Sequence, residues 1–168
     1  EVVHGNALKD ALRNRHIKVA SLDVWENEPD IDRELMDLLY TATPHIAGYS
    51  LDGKANGTMM AVNTLGKYFD LPCQNWIVND IPAPAQPVEF TVDATGKTPR
   101  QVLEEAILYT YDIKQDDKRL RLSPNTFEQQ RSDYPVRREF HAFTANITND
   151  ASGRAAMFVR ETGFNLNL

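Results

Sequence analysis

Three short stretches bring together residue types that can exchange a proton. They are Leu22-Asp23-Val24-Trp25, Glu28-Pro29 and Thr43-Pro44-His45-Ile46-Ala47-Gly48-Tyr49. Imidazole is the one side chain whose ordinary titration falls near neutral pH. A carboxylate beside it stabilises the imidazolium and fixes the ring's orientation. A paired His45 and Asp23 can therefore take a proton from a hydroxyl, or return one to a carbonyl. Taken singly, each residue has a plainer reading. His45 can be a packed or exposed histidine, Glu28 a solvated loop acid, Asp23 a turn residue or cap, Gly48 a turn glycine and Tyr49 a packed ring.

The elements around them argue for the joint reading. Asn6 is a good helix cap, and Ala7, Leu8, Ala11 and Leu12 form an apolar stripe at helical spacing. Residues 17–24 are short, largely apolar and rich in β-branched types, which suits a buried parallel strand. A loop of acids and prolines follows, then a short helix carrying Leu35, Leu38 and Leu39, then a strand around residues 40–43. Strand, helix and strand in this rhythm predict a doubly wound α/β sheet. Asp23 and His45 both fall near carboxyl ends of its strands, where such sheets hold their ligands.

Beyond the site, the spacing predicts a longer helix from Leu51 to about Phe69, capped by Ser50. Its Gly53, Gly57 and Gly66 are expected to allow close backbone approach. Residues 79–87 hold Pro82, Pro84 and Pro87 and read as an extended linker. After it the pattern changes to a small α+β module over 88–168. Residues 88–93 alternate as a half-buried strand. Thr98-Pro99-Arg100-Gln101 is a capping box with proline at the first helical position. Pro124 opens another predicted helix, 138–147 reads as a strand, Ser152 starts a last helix, Gly163 ends it, and 164–168 reads as an edge strand. Within 138–147, Phe143 and Ala145 suit either a partner surface or the module's own core. Arg137, Arg138 and Glu139 read as a solvated face, as do the interleaved charges of residues 114–119.

Composition excludes several classes. The net charge of −6, with basic residues mostly interleaved among acids, argues against nucleic-acid binding. No apolar run approaches the roughly 20 residues that span a bilayer, and the first residues lack the pattern of a signal peptide. A single cysteine, Cys73, excludes an intrachain disulfide and fits a reducing, cytoplasmic setting. The histidines at 4, 16, 45 and 141 show no metal-ligand spacing.

The run from Glu1 to Ser50 resembles the end of the NAD-binding domain of D-2-hydroxyacid dehydrogenases. The ordered elements are an Ala-Leu helix, Leu-Asp-Val, Glu-Pro and Thr-Pro-His-Ile-Ala-Gly. The resemblance implies the C-terminal part of a Rossmann-type domain over 1–50, and a helix with its connection back to a substrate domain over 51–78. It implies NAD as cofactor, His45 as acid/base, Glu28 as its partner, Asp23 at the nicotinamide end, Gly48 beside the cofactor, and Tyr49 on the substrate. The tail, with Asn79-Asp80-Ile81-Pro82-Ala83-Pro84, Tyr134-Pro135-Val136-Arg137-Arg138-Glu139-Phe140 and Gly163-Phe164, resembles the dimerisation domain of one branch. That branch oxidises a four-carbon phosphorylated 2-hydroxy acid in an early step toward pyridoxal 5′-phosphate. The implied partners are that small molecule and a second copy of the chain, a homodimer through 88–168. The alternative is another member, such as a phosphoglycerate dehydrogenase, with a regulatory tail. The family's Gly-x-Gly-x-x-Gly loop and its substrate-clamping arginine are not in this sequence. The chain is therefore expected to be a C-terminal fragment that does not turn over alone.

Overall fold

The computed structural model describes residues 3–167. In chain order the elements are α1 (Gly5–Arg13), β1 (Ser21–Leu22), α2 (Arg33–Leu38), β2 (Thr41–Ala42), α3 (Leu51–Tyr68), β3 (Glu89–Asp93), α4 (Pro99–Thr110), α5 (Ile113–Leu122), α6 (Phe127–Ser132), β4 (Thr144–Thr148), α7 (Arg154–Glu161) and β5 (Asn165–Leu166). Short 3-10 turns occupy Pro124–Thr126 and Phe140–Ala142. The chain divides into two compact units. Unit 1 is Glu1–Ala47 with Asp112–Pro135, and unit 2 is Gly48–Tyr111 with Val136–Leu168. The units therefore do not part at the proline-rich stretch 79–87. Residues 112–135, expected within the tail module, cluster with the first segment, because Leu120 and Phe127 are fully buried there.

Unit 1 carries a two-stranded parallel sheet, Ser21 beside Thr41 and Leu22 beside Ala42. The strand expected over 17–24 is thus confined to Ser21–Leu22. Strand geometry lasts only as far as a partner runs alongside, and Ile17 and Val19 are exposed. The core joins Trp25, Ile31, Leu35, Met36, Leu39 and Ala42 to Leu120 and Phe127. His4 caps α1 in place of the expected Asn6, its Nδ1 accepting the Ala7 amide at 3.4 Å. The Glu26 carboxylate accepts the Gly5 amide at 2.9 Å and adds negative charge where a helix start favours it. Lys9 is buried and donates to Asp32 at 2.6 Å, tying α1 to the cap of α2.

Helix α5 lies in the stretch whose charges read as a solvated face. Asp116 is buried and accepts the Tyr134 hydroxyl at 2.8 Å and a hydrogen bond from Arg119. Leu120 sits on the same inward side of the helix, four residues on. Six charged residues among ten, with Leu120 the buried apolar anchor, hid this helix from a reading based on apolar periodicity.

Unit 2 is built on a three-stranded parallel sheet of order β3-β4-β5. β3 and β4 pair over their full length, from Glu89 beside Thr144 to Asp93 beside Thr148, and Thr144 and Ala145 pair with Asn165 and Leu166. In β3 the alternation predicted from sequence holds, with Phe90 and Val92 buried and Glu89, Thr91 and Asp93 exposed. Helices α4 and α7 pack on each other, α4 against β3 and α7 against β4 and β5. Their Val102, Ala106, Ala155 and Val159 meet Phe90, Val92, Phe143, Ala145 and Phe164. Phe143 and Ala145 are fully buried inside this unit, which settles their two readings in favour of its own core. The strand expected from residue 138 begins only at Thr144, where its pairing with β3 begins.

Helix starts in unit 2 follow local chemistry. Ser50 caps α3 by accepting the Gly53 amide at 3.1 Å, and Thr98 and Gln101 form the reciprocal capping box of α4. Helix α7 starts from Gly153 in left-handed backbone, φ +65°, one residue after the expected Ser152. Asp150 accepts the Ala156 amide at 2.9 Å there. Among the α3 glycines, close backbone approach occurs at Gly66 alone. A Cβ there would stand 3.0 Å from the Cys73 backbone, one at Gly57 would meet nothing, and one at Gly53 would meet only the Ser50 hydroxyl.

Asp52, 2% exposed, anchors α3. Arg138 donates to both its oxygens, at 2.9 and 3.0 Å, and the Glu139 amide donates at 2.7 Å. Arg138 also donates to the Ile81 and Pro82 carbonyls. Burial pushes the Asp52 carboxyl up. The Arg138 and Glu139 hydrogen bonds and the Arg138 and His141 charges outweigh it and hold the group below its ordinary value. Arg138 is thus half of a buried ion pair, not part of a solvated face. Arg137 lies over the Tyr111 ring, 4.7 Å from its centroid.

Candidate active site

The site grows out of the carboxyl ends of β1 and β2. His45 stands just past β2 in left-handed backbone, φ +55°, a conformation histidine adopts more readily than β-branched residues. Its Nδ1 lies 2.8 Å from Glu28 Oε2. The other carboxylate oxygen of Glu28 accepts the Trp25 amide at 2.8 Å. Glu28 is therefore held from the end of β1 while it holds the imidazole. The His45 side chain is 42% exposed and that of Glu28 only 17%. With Nδ1 against a carboxylate, the neutral ring carries its proton there, and Nε2 is the nitrogen that can accept one.

Two further residues fix the loop that presents His45. Buried Trp25 donates its indole N–H to the Thr43 carbonyl at 2.9 Å. Asp23 Oδ1 accepts the Thr43 hydroxyl at 2.7 Å and the Ile46 amide at 2.8 Å, and its Oδ2 accepts the Ala47 amide at 2.9 Å. Both oxygens of Asp23 thus face the loop 43–47. The structure brings Asp23, Glu28 and His45 into one network, with Glu28 against the imidazole and Asp23 bracing the backbone on either side of it. Trp25 and Thr43 lay inside the motifs without an assigned part. An indole N–H that must find an acceptor when buried was the signal that could have found Trp25.

Tyr49 and Gly48 belong to unit 2. The Lys54 ammonium stands 3.8 Å from the centre of the Tyr49 ring, so a cation accompanies this tyrosine. A Cβ at Gly48 would meet nothing within 4 Å, and Ala47 and Gly48 are exposed. Backbone there is open to a ligand. Within unit 1 the residues present fit the nicotinamide end of a dinucleotide site: a braced loop and an orientated imidazole. The pyrophosphate needs a glycine-rich turn at a helix start, and no Gly-x-Gly-x-x-Gly occurs in the sequence. Among the described residues no cluster of His, Cys, Asp or Glu is arranged to hold a metal ion. Among them, too, no helix is long and apolar enough to cross a membrane.

Residues 1–47, which hold this network, match the family model of the D-isomer specific 2-hydroxyacid dehydrogenase NAD-binding domain. These residues carry the sequence of that family's NAD-binding domain. Residues 84–158 match a domain of unknown function (DUF3410). Among curated proteins, the chain is 43% identical over 143 residues to an erythronate-4-phosphate dehydrogenase of Bacteroides thetaiotaomicron, covering 85% of this chain and 38% of that protein. It is 38% identical over 177 residues to the erythronate-4-phosphate dehydrogenase of Marinobacter nauticus, covering 100% of this chain and 45% of the relative. A protein of the same name from Porphyromonas gingivalis is 41% identical over 143 residues, 85% of this chain and 38% of its own length. The chain therefore spans less than half the length of these relatives. The cofactor of the matched family domain is NAD.

Proposed function

We propose that the longer protein represented by this chain oxidises 4-phospho-D-erythronate at its C2 hydroxyl, with NAD as the hydride acceptor. The observation that carries the chemistry is the 2.8 Å contact of His45 Nδ1 with Glu28. His45 Nε2 takes the hydroxyl proton as C2 is oxidised to the ketone, and returns it in the reverse direction. Glu28 keeps the ring in the right tautomer and stabilises the imidazolium that results. Asp23 holds the loop on both sides of His45 at the nicotinamide end of the cofactor, and Gly48 is a cofactor contact. Tyr49 meets the substrate, its hydroxyl donating to phosphate or carboxylate. The names of the relatives support the substrate, and the match to an NAD-binding domain supports the cofactor.

The remaining proposals follow the same resemblance. The protein is cytoplasmic, acts in pyridoxal 5′-phosphate synthesis and forms a homodimer through residues of its C-terminal region. The 168 residues alone do not turn over, because the cofactor loop and a carboxylate-clamping arginine must come from elsewhere in the polypeptide.

The test is a nicotinamide absorbance assay of the full-length protein on 4-phospho-D-erythronate, 3-phosphoglycerate and D-lactate. A clear preference for the four-carbon phosphate is expected, and His45→Asn should lower kcat by roughly 10²- to 10⁴-fold. Asparagine tolerates the left-handed backbone, so the loss reports chemistry. A preference for either other acid would overturn the substrate assignment and leave the Glu28–His45 pair standing.

A further inference from the structure

The strand that presents His45 has an open side. β2 pairs with β1 on one edge, where Tyr40 donates to the Ala20 carbonyl at 2.8 Å and Thr43 to the Leu22 carbonyl at 3.0 Å. The amide of Ala42 is not taken by β1. It donates instead to Asp117 Oδ1 on α5 at 2.7 Å, so a carboxylate stands where a further strand would supply a carbonyl. Asp117 is itself held by Arg121 one turn on, whose Nε lies 3.0 Å from both carboxylate oxygens. The same guanidinium donates to the Met36 carbonyl at 2.8 Å and to the Leu39 carbonyl at 3.0 Å. These carbonyls lie at the end of α2, where the Met36 carbonyl also accepts the Leu39 amide at 3.2 Å. One Asp–Arg pair thus fixes the end of α2, the turn into β2 and the last residue of β2, three residues before His45.

The apolar contacts point the same way. Leu120 lies between Asp117 and Arg121 in sequence. With Phe127 of α6 it is fully buried among Trp25, Leu35, Met36, Leu39 and Ala42. Trp25 in turn holds Thr43, and its amide holds Glu28. Residues 112–135 fall within the stretch 84–158 that matches a domain of unknown function, yet they cluster with the dehydrogenase segment.

We infer that α5 and α6 complete the catalytic edge of the dehydrogenase segment, and that Asp117 and Arg121 are positioning residues for His45. The inference rests on the proposed role of His45 for its consequence in turnover, but the geometry it asserts is measurable without turnover. The carboxylate supplies the hydrogen bond that a neighbouring strand would supply. The guanidinium locks that carboxylate to the end of α2. Without them β2 has one paired edge of two residues, too little to hold the loop 43–47 in register.

The test uses the 168-residue chain with ¹⁵N and ¹³C histidine labelling, His45 being assigned by loss of its signals in His45→Asn. In Asp117→Ala, amide exchange at Ala42, Thr43 and Ile46 should rise at least tenfold and the His45 ring resonances should shift, while those of His141 in unit 2 stay in place. Asp117→Asn keeps an acceptor for Ala42 and should restore most of the His45 signature. Arg121→Gln serves where Asp117→Ala fails to fold, and should move the same resonances less far. Unchanged His45 resonances and Ala42 exchange in a folded Asp117→Ala or Arg121→Gln chain would overturn the inference. In the full-length enzyme, Asp117→Ala should lower kcat about tenfold or more with KM little changed. Should the enzyme prove to act on another substrate, the resonance result still decides whether α5 positions His45.

Discussion

The two compact units hold their sheets by different means. In unit 2, β3 and β4 pair over five residues each, and burial alternates strictly along β3 under two helices. Backbone ladders and apolar burial suffice, and the one buried ion pair, among those the described residues make in this unit, lies on α3, outside the sheet. In unit 1 the paired strands are two residues each. There the backbone near the site is held by side chains: Asp23 on Thr43, Ile46 and Ala47, Trp25 on Thr43, and Asp117 on Ala42. A short strand end leaves amides and carbonyls without ladder partners, and these are what a catalytic loop needs if it is to be shaped by specific groups. The site sits where regular structure stops.

The contrast can be broken most forcefully by emptying one core. Phe127→Ala removes a fully buried ring from unit 1 and should cost about 3–5 kcal/mol there. Hydrogen exchange should then show β1, α2 and β2 losing protection while β3 and β4 keep theirs. Equal loss across the chain would mean that the units unfold as one and that the comparison is only geometric.

Next in size is Asp52→Ala, which leaves the Arg138 guanidinium buried and unpaired and should destabilise unit 2 by about 3 kcal/mol. Acid should reveal the same pair. The folded carboxyl of Asp52 is held below its ordinary value, so the unfolded chain binds the proton first as pH falls. Its stabilisation is fully present above about pH 4 and is lost as pH drops through the lower folded value. Exposed Asp93, held at about 2 by the Asn149 amide and by the Thr95 backbone and hydroxyl, titrates in the same direction. Denaturant midpoints of the wild type and Asp52→Asn should therefore converge between pH 7 and pH 3. A gap that stays constant would show that Asp52 is not the group being protonated.

A smaller effect is expected at the site. Asp23→Asn replaces one accepting oxygen with a donor facing backbone amides, at a cost of about 1–3 kcal/mol, mostly local. Faster exchange at Ile46 and Ala47, with unit 2 unchanged, is the outcome that sharpens the contrast. The smallest effects separate two glycines on one helix. Gly57→Ala should stabilise α3 by about 0.5–1 kcal/mol, since its Cβ meets nothing. Gly66→Ala should destabilise it, since its Cβ would press on the Cys73 backbone at 3.0 Å. Thermal midpoints that move the same way would contradict the packing described for α3 and the 73–74 turn.

Local chemistry was legible wherever neighbours in sequence supply it. The Ser50 cap, the Thr98–Gln101 capping box, the alternation of β3 and the span of α3 each need only residues within a turn or two. The ordered run of Leu-Asp-Val, Glu-Pro and Thr-Pro-His was enough to group Asp23, Glu28 and His45, which the structure holds in one network. Its internal geometry was not legible, because which carboxylate meets the imidazole depends on how a loop returns. Glu28 does so, while Asp23 turns both oxygens to backbone amides and a hydroxyl. Strand lengths were overestimated at 17–24 and 138–147, since apolar, β-branched sequence marks where a strand can form and only a partner makes it one.

By itself the sequence determined the resemblance to an NAD-binding domain, the Ser50 and Thr98 caps and the alternating strand β3. Tertiary structure alone decided that residues 112–135 leave the tail and join unit 1. It decided too that Asp52 pairs with Arg138, 86 positions away, and that Asp117 meets Ala42, 75 positions away. The physical reason is shared by the two pairings. A charged residue on a helix reads as solvated until a backbone group or an opposite charge, distant in sequence, is brought against it and water is excluded from both.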